Sequence, residues 1–295
     1  MRSIPKAPIG THPRLLFTDA DRPELMAKVA NDSFTKLAFT AVSNSITGSL
    51  LRPGHLLNSV YGQLSKGQFA DTNNFTRSLS TVGDWSFGWY DWGYAKTGVG
   101  GYFNLTGNDR SIYSALAGYS YMIYLRQTVN VTEAQLAARA TATAARQHHS
   151  LYPSFLATAG KATPKYFDVE LAFAYDLLYN YMNETERNNT RNFISYLTTG
   201  KSLSYTMCNA NDQFTTPHGT LQYLSLMTMA LSIEGETGYD NSSMVNVCLC
   251  AKDSLKTWVI RKDGSYHQNM GWTYYIDSGF LSFYVASRAN LCVRK

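Results

Sequence analysis

The chain predicts an all-α fold: an incomplete (α/α) toroid of paired inner and outer helices, forming one domain over residues 1–295 with no appended β-sandwich. Three observations predict it. Apolar residues recur at helical spacing from Asp19 almost to the end of the chain. No segment alternates convincingly as a half-buried strand would. Consecutive helical segments also differ in kind, one apolar nearly all round and the next striped on one face.

The first helix is expected from Asp19, with Thr18 or Asp19 as N-cap and Pro23 tolerated in the first turn. Further helices are expected at about 32–47, 109–128, 132–149, 168–182, 184–199, 219–234, 241–260 and 272–289. The segment 168–182 carries Leu171, Ala172, Phe173, Tyr175, Leu177, Leu178 and Tyr181, which calls for burial on most sides. Its successor keeps Phe193, Ile194 and Leu197 on one stripe and presents Glu184, Glu186, Arg187, Asn188, Asn189 and Arg191 elsewhere. One is therefore inner and the other outer. Hairpins of this kind build a solenoid or a ring, and no fixed-length repeat favours the solenoid.

Composition narrows the function classes. With 44% apolar and 16% charged residues the chain is of ordinary globular type. A net charge of +5 attracts an acidic polymer without a Lys/Arg run of the nucleic-acid type, so no nucleic-acid partner is expected. No apolar stretch approaches the roughly 20 residues of a membrane span. Seven Asn-x-Ser/Thr sequons, at Asn31, Asn74, Asn104, Asn130, Asn183, Asn188 and Asn241, lean towards a secreted or extracytoplasmic glycoprotein. Residues Met1 to Gly10 hold Pro5 and Pro8 but no signal-peptide apolar core, so the expectation is a leader removed or a partial sequence. Cys208, Cys248, Cys250 and Cys292 lack structural-zinc spacing. His148 and His149 point about 100° apart on a helix and do not chelate one ion. No metal and no cofactor is expected, and the sequence sets no oligomeric state.

Two features suit a sugar substrate. The chain has 21 Tyr, 14 Phe and 5 Trp, and Tyr and Trp offer a flat apolar face with a polar edge. Trp85, Trp89, Tyr90, Trp92 and Tyr94 fall within ten positions among glycines, a candidate platform for stacking pyranose rings, or equally a packed helix and turn.

The N-terminal Thr11-His12-Pro13-Arg14-Leu15-Leu16-Phe17-Thr18 resembles the entry segment of heparinase II/III-like and alginate lyase polysaccharide lyases. Ala172-Phe173-Ala174-Tyr175-Asp176-Leu177-Leu178-Tyr179, running into the polar stretch Asn183 to Arg191, is similar to their mid-domain hairpin. His218-Gly219-Thr220 and the apolar run to Glu234-Gly235 resemble their Asn-His-Gly-Thr helix, and Asp263-Gly264-Ser265 with its downstream tyrosines resembles their next catalytic hairpin. The order of these motifs spans nearly the whole chain.

The resemblance implies a helical toroid and β-elimination of a uronic-acid-containing polysaccharide. It assigns His218 to carboxylate neutralisation or base, Tyr274 or Tyr275 to acid or base, and His267 to the substrate with Gln268 and Asn269 beside it. Pro217 stands where the family has Asn, so the neutralising amide falls to Asn209, Asn211 or Gln213. Arg261, Lys262 and Arg288 are candidate carboxylate or sulfate binders. The stop at Lys295 is expected to mark a toroid-only or truncated member. The alternatives are a glycoside hydrolase using two of Asp84, Asp91, Asp212 and Asp277, or a polysaccharide-binding or uronate-epimerising relative.

Overall fold

The computed structural model describes residues 8–45, 112–126, 128–159, 169–198 and 227–239. Among the described residues the chain is helical and contains no strand, in line with its periodicity. The helices are α1 (Arg22–Asn31), α2 (Ser33–Ser45), α3 (Ile112–Tyr124), α4 (Val131–Ala159), α5 (Val169–Leu178) and α6 (Glu184–Thr198), with residues 227–232 also helical. The helices expected at 241–260 and 272–289 lie outside the described residues.

α3 and α4 form one hairpin and α5 and α6 another, and the two stand side by side: α3 packs along α5, and α4 along α6. The expected contrast in burial between the two helices of the second hairpin is found. No residue from Leu171 to Leu178 is more than 5% exposed, so α5 is sealed on every side. Each large apolar side chain sealed in this way contributes about 1.5–3 kcal/mol. α6 buries Phe193, Ile194 and Leu197 along its expected stripe. It starts on a reciprocal cap in which Asn183 Oδ1 accepts from the Glu186 amide at 2.9 Å while Glu186 Oε2 accepts from the Asn183 amide at 2.9 Å.

Three details differ from the sequence expectation. The first helix begins at Arg22 with Asp21 as N-cap, not at Thr18 or Asp19, although Pro23 does sit in its first turn. The reason is a turn: Asp21 Oδ2 accepts from the Thr18 amide at 2.7 Å and the Thr18 hydroxyl at 2.9 Å, so residues 18–21 close on themselves before the helix starts. The helix expected over 132–149 runs on to Ala159 through Pro153, since loss of one backbone donor need not end a helix of 29 residues. Arg191, expected on the solvent side of α6, is only 6% exposed.

The N-terminal segment, residues 8–17, enters this helical body as a non-helical strap of turns and bends. Leu15 is buried, and Phe17 packs on Tyr124 of α3 with ring centroids 5.0 Å apart and beside Leu177 of α5. Arg22 then donates to the Tyr124 carbonyl at 2.8 Å and the Arg126 carbonyl at 2.7 Å, closing the carbonyl end of α3. At the strap's outer end Gly10 (φ 74°) lies against Gly235 (φ 81°), both in the left-handed region. A Cβ on Gly235 would come within 2.2 Å of Ile9 Cγ2. Gly235→Ala is therefore expected to cost about 1–2 kcal/mol from the left-handed backbone alone, a loss that urea denaturation of the variant measures.

Candidate functional site

Asp176 is the one acidic residue in the buried run Leu171–Leu178 of α5, and it faces the strap. Its carboxylate accepts from His12 Nδ1 at 2.8 Å, from the Arg14 amide at 3.0 and 2.9 Å to its two oxygens, and from the Leu15 amide at 2.8 Å. One buried side chain thus satisfies two backbone donors that a non-helical segment would otherwise leave orphaned. Asn180, in the 3-10 turn Tyr179–Tyr181 that follows α5, adds a bond from Nδ2 to the His12 carbonyl at 3.1 Å.

The strap is tied equally to residues 231–236, at the end of the 227–232 helix and just after it. Arg14 is 1% exposed, and its guanidinium donates to the Leu231 carbonyl at 3.0 Å and to Glu234 at 3.3 Å. Glu236 receives the Tyr175 hydroxyl at 2.9 Å and Arg191 Nη1 at 2.7 Å, and Arg191 reaches onward to Glu184 and Asn188. His12 Nε2 lies 3.3 Å from Glu236 Oε1, too far off the ring N–H direction for a hydrogen bond but within ion-pair range. The His12 ring stacks on Tyr179 at 3.9 Å and 21°.

The electrostatics follow from burial set against these partners. Burial by itself would lower the His12 pKa, but the Asp176 and Glu236 carboxylates outweigh it and raise it above the ordinary value of 6.5. Burial would likewise raise Glu236, yet the His12 imidazole, Arg191 and the Tyr175 hydroxyl hold its carboxyl below the usual range. The Tyr175 phenol is pushed far up by burial and by the charge of Glu236, so it stays protonated and donates. Imidazole, phenol, guanidinium and carboxylate are the groups a catalytic site uses. Here they face one another, with the His12, Asp176 and Glu236 side chains 1–3% exposed, and no substrate reaches them. The arrangement is a polar clasp joining the strap, α5, α6 and residues 227–236.

The residues expected to act on substrate are not in this clasp. The expected catalytic His218, Tyr274, Tyr275 and His267 lie outside the described residues. So do Asn209, Asn211, Gln213, Gln268, Asn269 and Arg261, the Trp85, Trp89, Tyr90, Trp92 and Tyr94 platform, Lys262, Arg288, the four cysteines and the alternative hydrolase carboxylates. His149 packs against Phe193 and Tyr196 of α6, with ring centroids 5.9 and 5.0 Å away. Among the described residues no helix is long and apolar enough to cross a membrane.

The sequence expectation gave the clasp residues no role. Two signals mark them: an aspartate within the apolar run Leu171–Leu178, and His-Pro-Arg immediately ahead of an apolar run. Compared with known proteins, the chain matches no family model, no curated protein and no solved structure at a significant level.

Proposed function

We propose that the chain is a polysaccharide lyase that cleaves a uronic-acid-containing polysaccharide, of alginate, glucuronan or glycosaminoglycan type, on a toroid of paired helices. One observation carries this reading. Three of the segments on which the resemblance rests, Thr11–Thr18, Ala172–Tyr179 and the run ending at Glu234-Gly235, lie far apart in sequence and are joined by one clasp through His12, Arg14, Asp176, Leu231 and Glu234. Motifs that are physically interdependent have a reason to occur together and in order. The side-by-side helical hairpins supply the kind of scaffold the reading requires.

The chemistry asks for three groups. The proton on C5 of a uronate is too weakly acidic to leave until the adjacent carboxylate is neutralised, a task for His218 with an amide from Asn209, Asn211 or Gln213. A base, Tyr274 or Tyr275 or His218 itself, takes that proton. The C4–O bond then breaks, C4 and C5 become doubly bonded, and the departing glycosidic oxygen takes a proton from the tyrosine. His267 with Gln268 and Asn269, Arg261 and the tryptophan-rich segment hold the acidic chain. No cofactor takes part.

Incubation with alginate, glucuronan and glycosaminoglycans tests the reading. At least one is expected to give rising ultraviolet absorbance from the conjugated double bond. Shortened chains without that absorbance would mean hydrolysis, and deuterium entering C5 without cleavage would mean epimerisation.

A further inference from the structure

We propose that the proton on His12 latches the N-terminal strap, residues 8–17, onto the helical hairpins, so that the strap detaches as the pH rises above the ordinary histidine range while α6 keeps its fold. His12 Nδ1 lies 2.8 Å from Asp176 Oδ1 and Nε2 lies 3.3 Å from Glu236 Oε1, with all three side chains at most 3% exposed. A neutral imidazole carries one N–H and one lone pair. The Nε2–H tautomer would turn its lone pair at Asp176 Oδ1, and the Nδ1–H tautomer would leave an uncharged ring 3.3 Å from the Glu236 carboxylate, whereas the imidazolium sets a positive charge beside both.

The charge count agrees. From the strap come His12 and Arg14, from α5 Asp176, from α6 Arg191, and from the segment after residues 227–232 Glu234 and Glu236. With His12 protonated these are three cations and three anions. Without its proton one negative charge is left over in a site shielded from water, the most costly place for it. The remaining groups at the rim do not restore the balance: Glu184 is 65% exposed and pairs with Arg191 and Arg187, and Arg187 lies over the Tyr179 ring at 4.2 Å. The Tyr175 and Tyr179 phenols stay neutral at these pH values, because burial pushes both up.

Exposure is confined to the outer end of the strap. Residues 8–11 are exposed, and Thr11 bonds only as far back as the Pro8 carbonyl. The polar hold on the strap passes through Asp176, Asn180, Leu231, Glu234 and Glu236. Linkage fixes the sign: a group whose pKa is higher in the closed state favours closure below its free value of about 6.5 and loses that advantage as the pH climbs to the closed-state value. The opening equilibrium should rise up to tenfold per pH unit across that interval and then level off.

Hydrogen exchange of the full chain between pH 6 and pH 9, corrected for intrinsic rates, tests this. Peptides covering Arg14 and Leu15, whose amides bond to Asp176, should lose protection with that slope while peptides from α6 hold theirs. The wild-type imidazole signals should show His12 doubly protonated at pH 6.5 and titrating above it. His12→Gln should flatten the pH dependence, and if that variant does not fold, the two wild-type measurements decide. Corrected protection of the strap that stays constant from pH 6 to 9, parallel loss in α6, or a His12 that is neutral at pH 6 would overturn the latch.

Discussion

Asp176→Ala is expected to destabilise the folded chain by about 3–5 kcal/mol, the scale on which removing one partner of a buried pair strands the other. The change removes the acceptor for the Arg14 and Leu15 amides and for His12 Nδ1, all inside the protein. Each buried donor left unsatisfied costs about 1–3 kcal/mol, and a domain of this kind has only about 5–15 kcal/mol in hand. Asp176→Asn should also be severe despite its matching shape. Both carboxylate oxygens accept from N–H groups, so the amide nitrogen must point a donor at a donor. Urea denaturation followed by circular dichroism measures both. A loss below 1 kcal/mol for the alanine variant would mean that the clasp is not what holds the strap.

The second large effect is on activity. His218→Ala is expected to reduce turnover of the susceptible uronan by at least about 10²-fold, the lower range for loss of a positioned acid–base or charge-neutralising group. Polymer binding should be far less affected, because the residues proposed to hold the polymer are unchanged in this variant. Tyr274→Phe and Tyr275→Phe form the companion pair. One should behave as His218→Ala does, and the other should stay near wild type, which identifies the working phenol. Affinity electrophoresis in substrate-containing gels separates binding from turnover. An alanine variant at 218 with undiminished activity would remove the imidazole from the chemistry.

The hairpins were legible because their signals are local. The nearly all-round apolar character of Leu171–Leu178, Asp176 apart, predicts a helix sealed all round, and the Phe193–Ile194–Leu197 stripe predicts one sealed on a single face; both are found. The clasp was not legible for the opposite reason. Arg191 has the sequence surroundings of a solvent-facing residue, among Glu184, Glu186 and Arg187, and only a carboxylate 45 residues further on, Glu236, draws it inside. His12 meets Asp176 across 164 positions, a pairing no helical period encodes. The start of α1 slipped for a smaller reason, since Asp21 serves the Thr18 turn with the side chain that would otherwise announce a cap. The catalytic expectations at His218, Tyr274, Tyr275 and His267 rest on motif order, which the clasp helps to explain through the run ending at Glu234.

The most direct measurement is the mass of the reaction products made in ¹⁸O-labelled water. Elimination predicts a new non-reducing end lighter by one water than a hydrolytic fragment, with no label introduced by bond cleavage. Fragments that carry the full water and the heavy isotope would contradict the lyase and assign the chain a hydrolytic reaction instead.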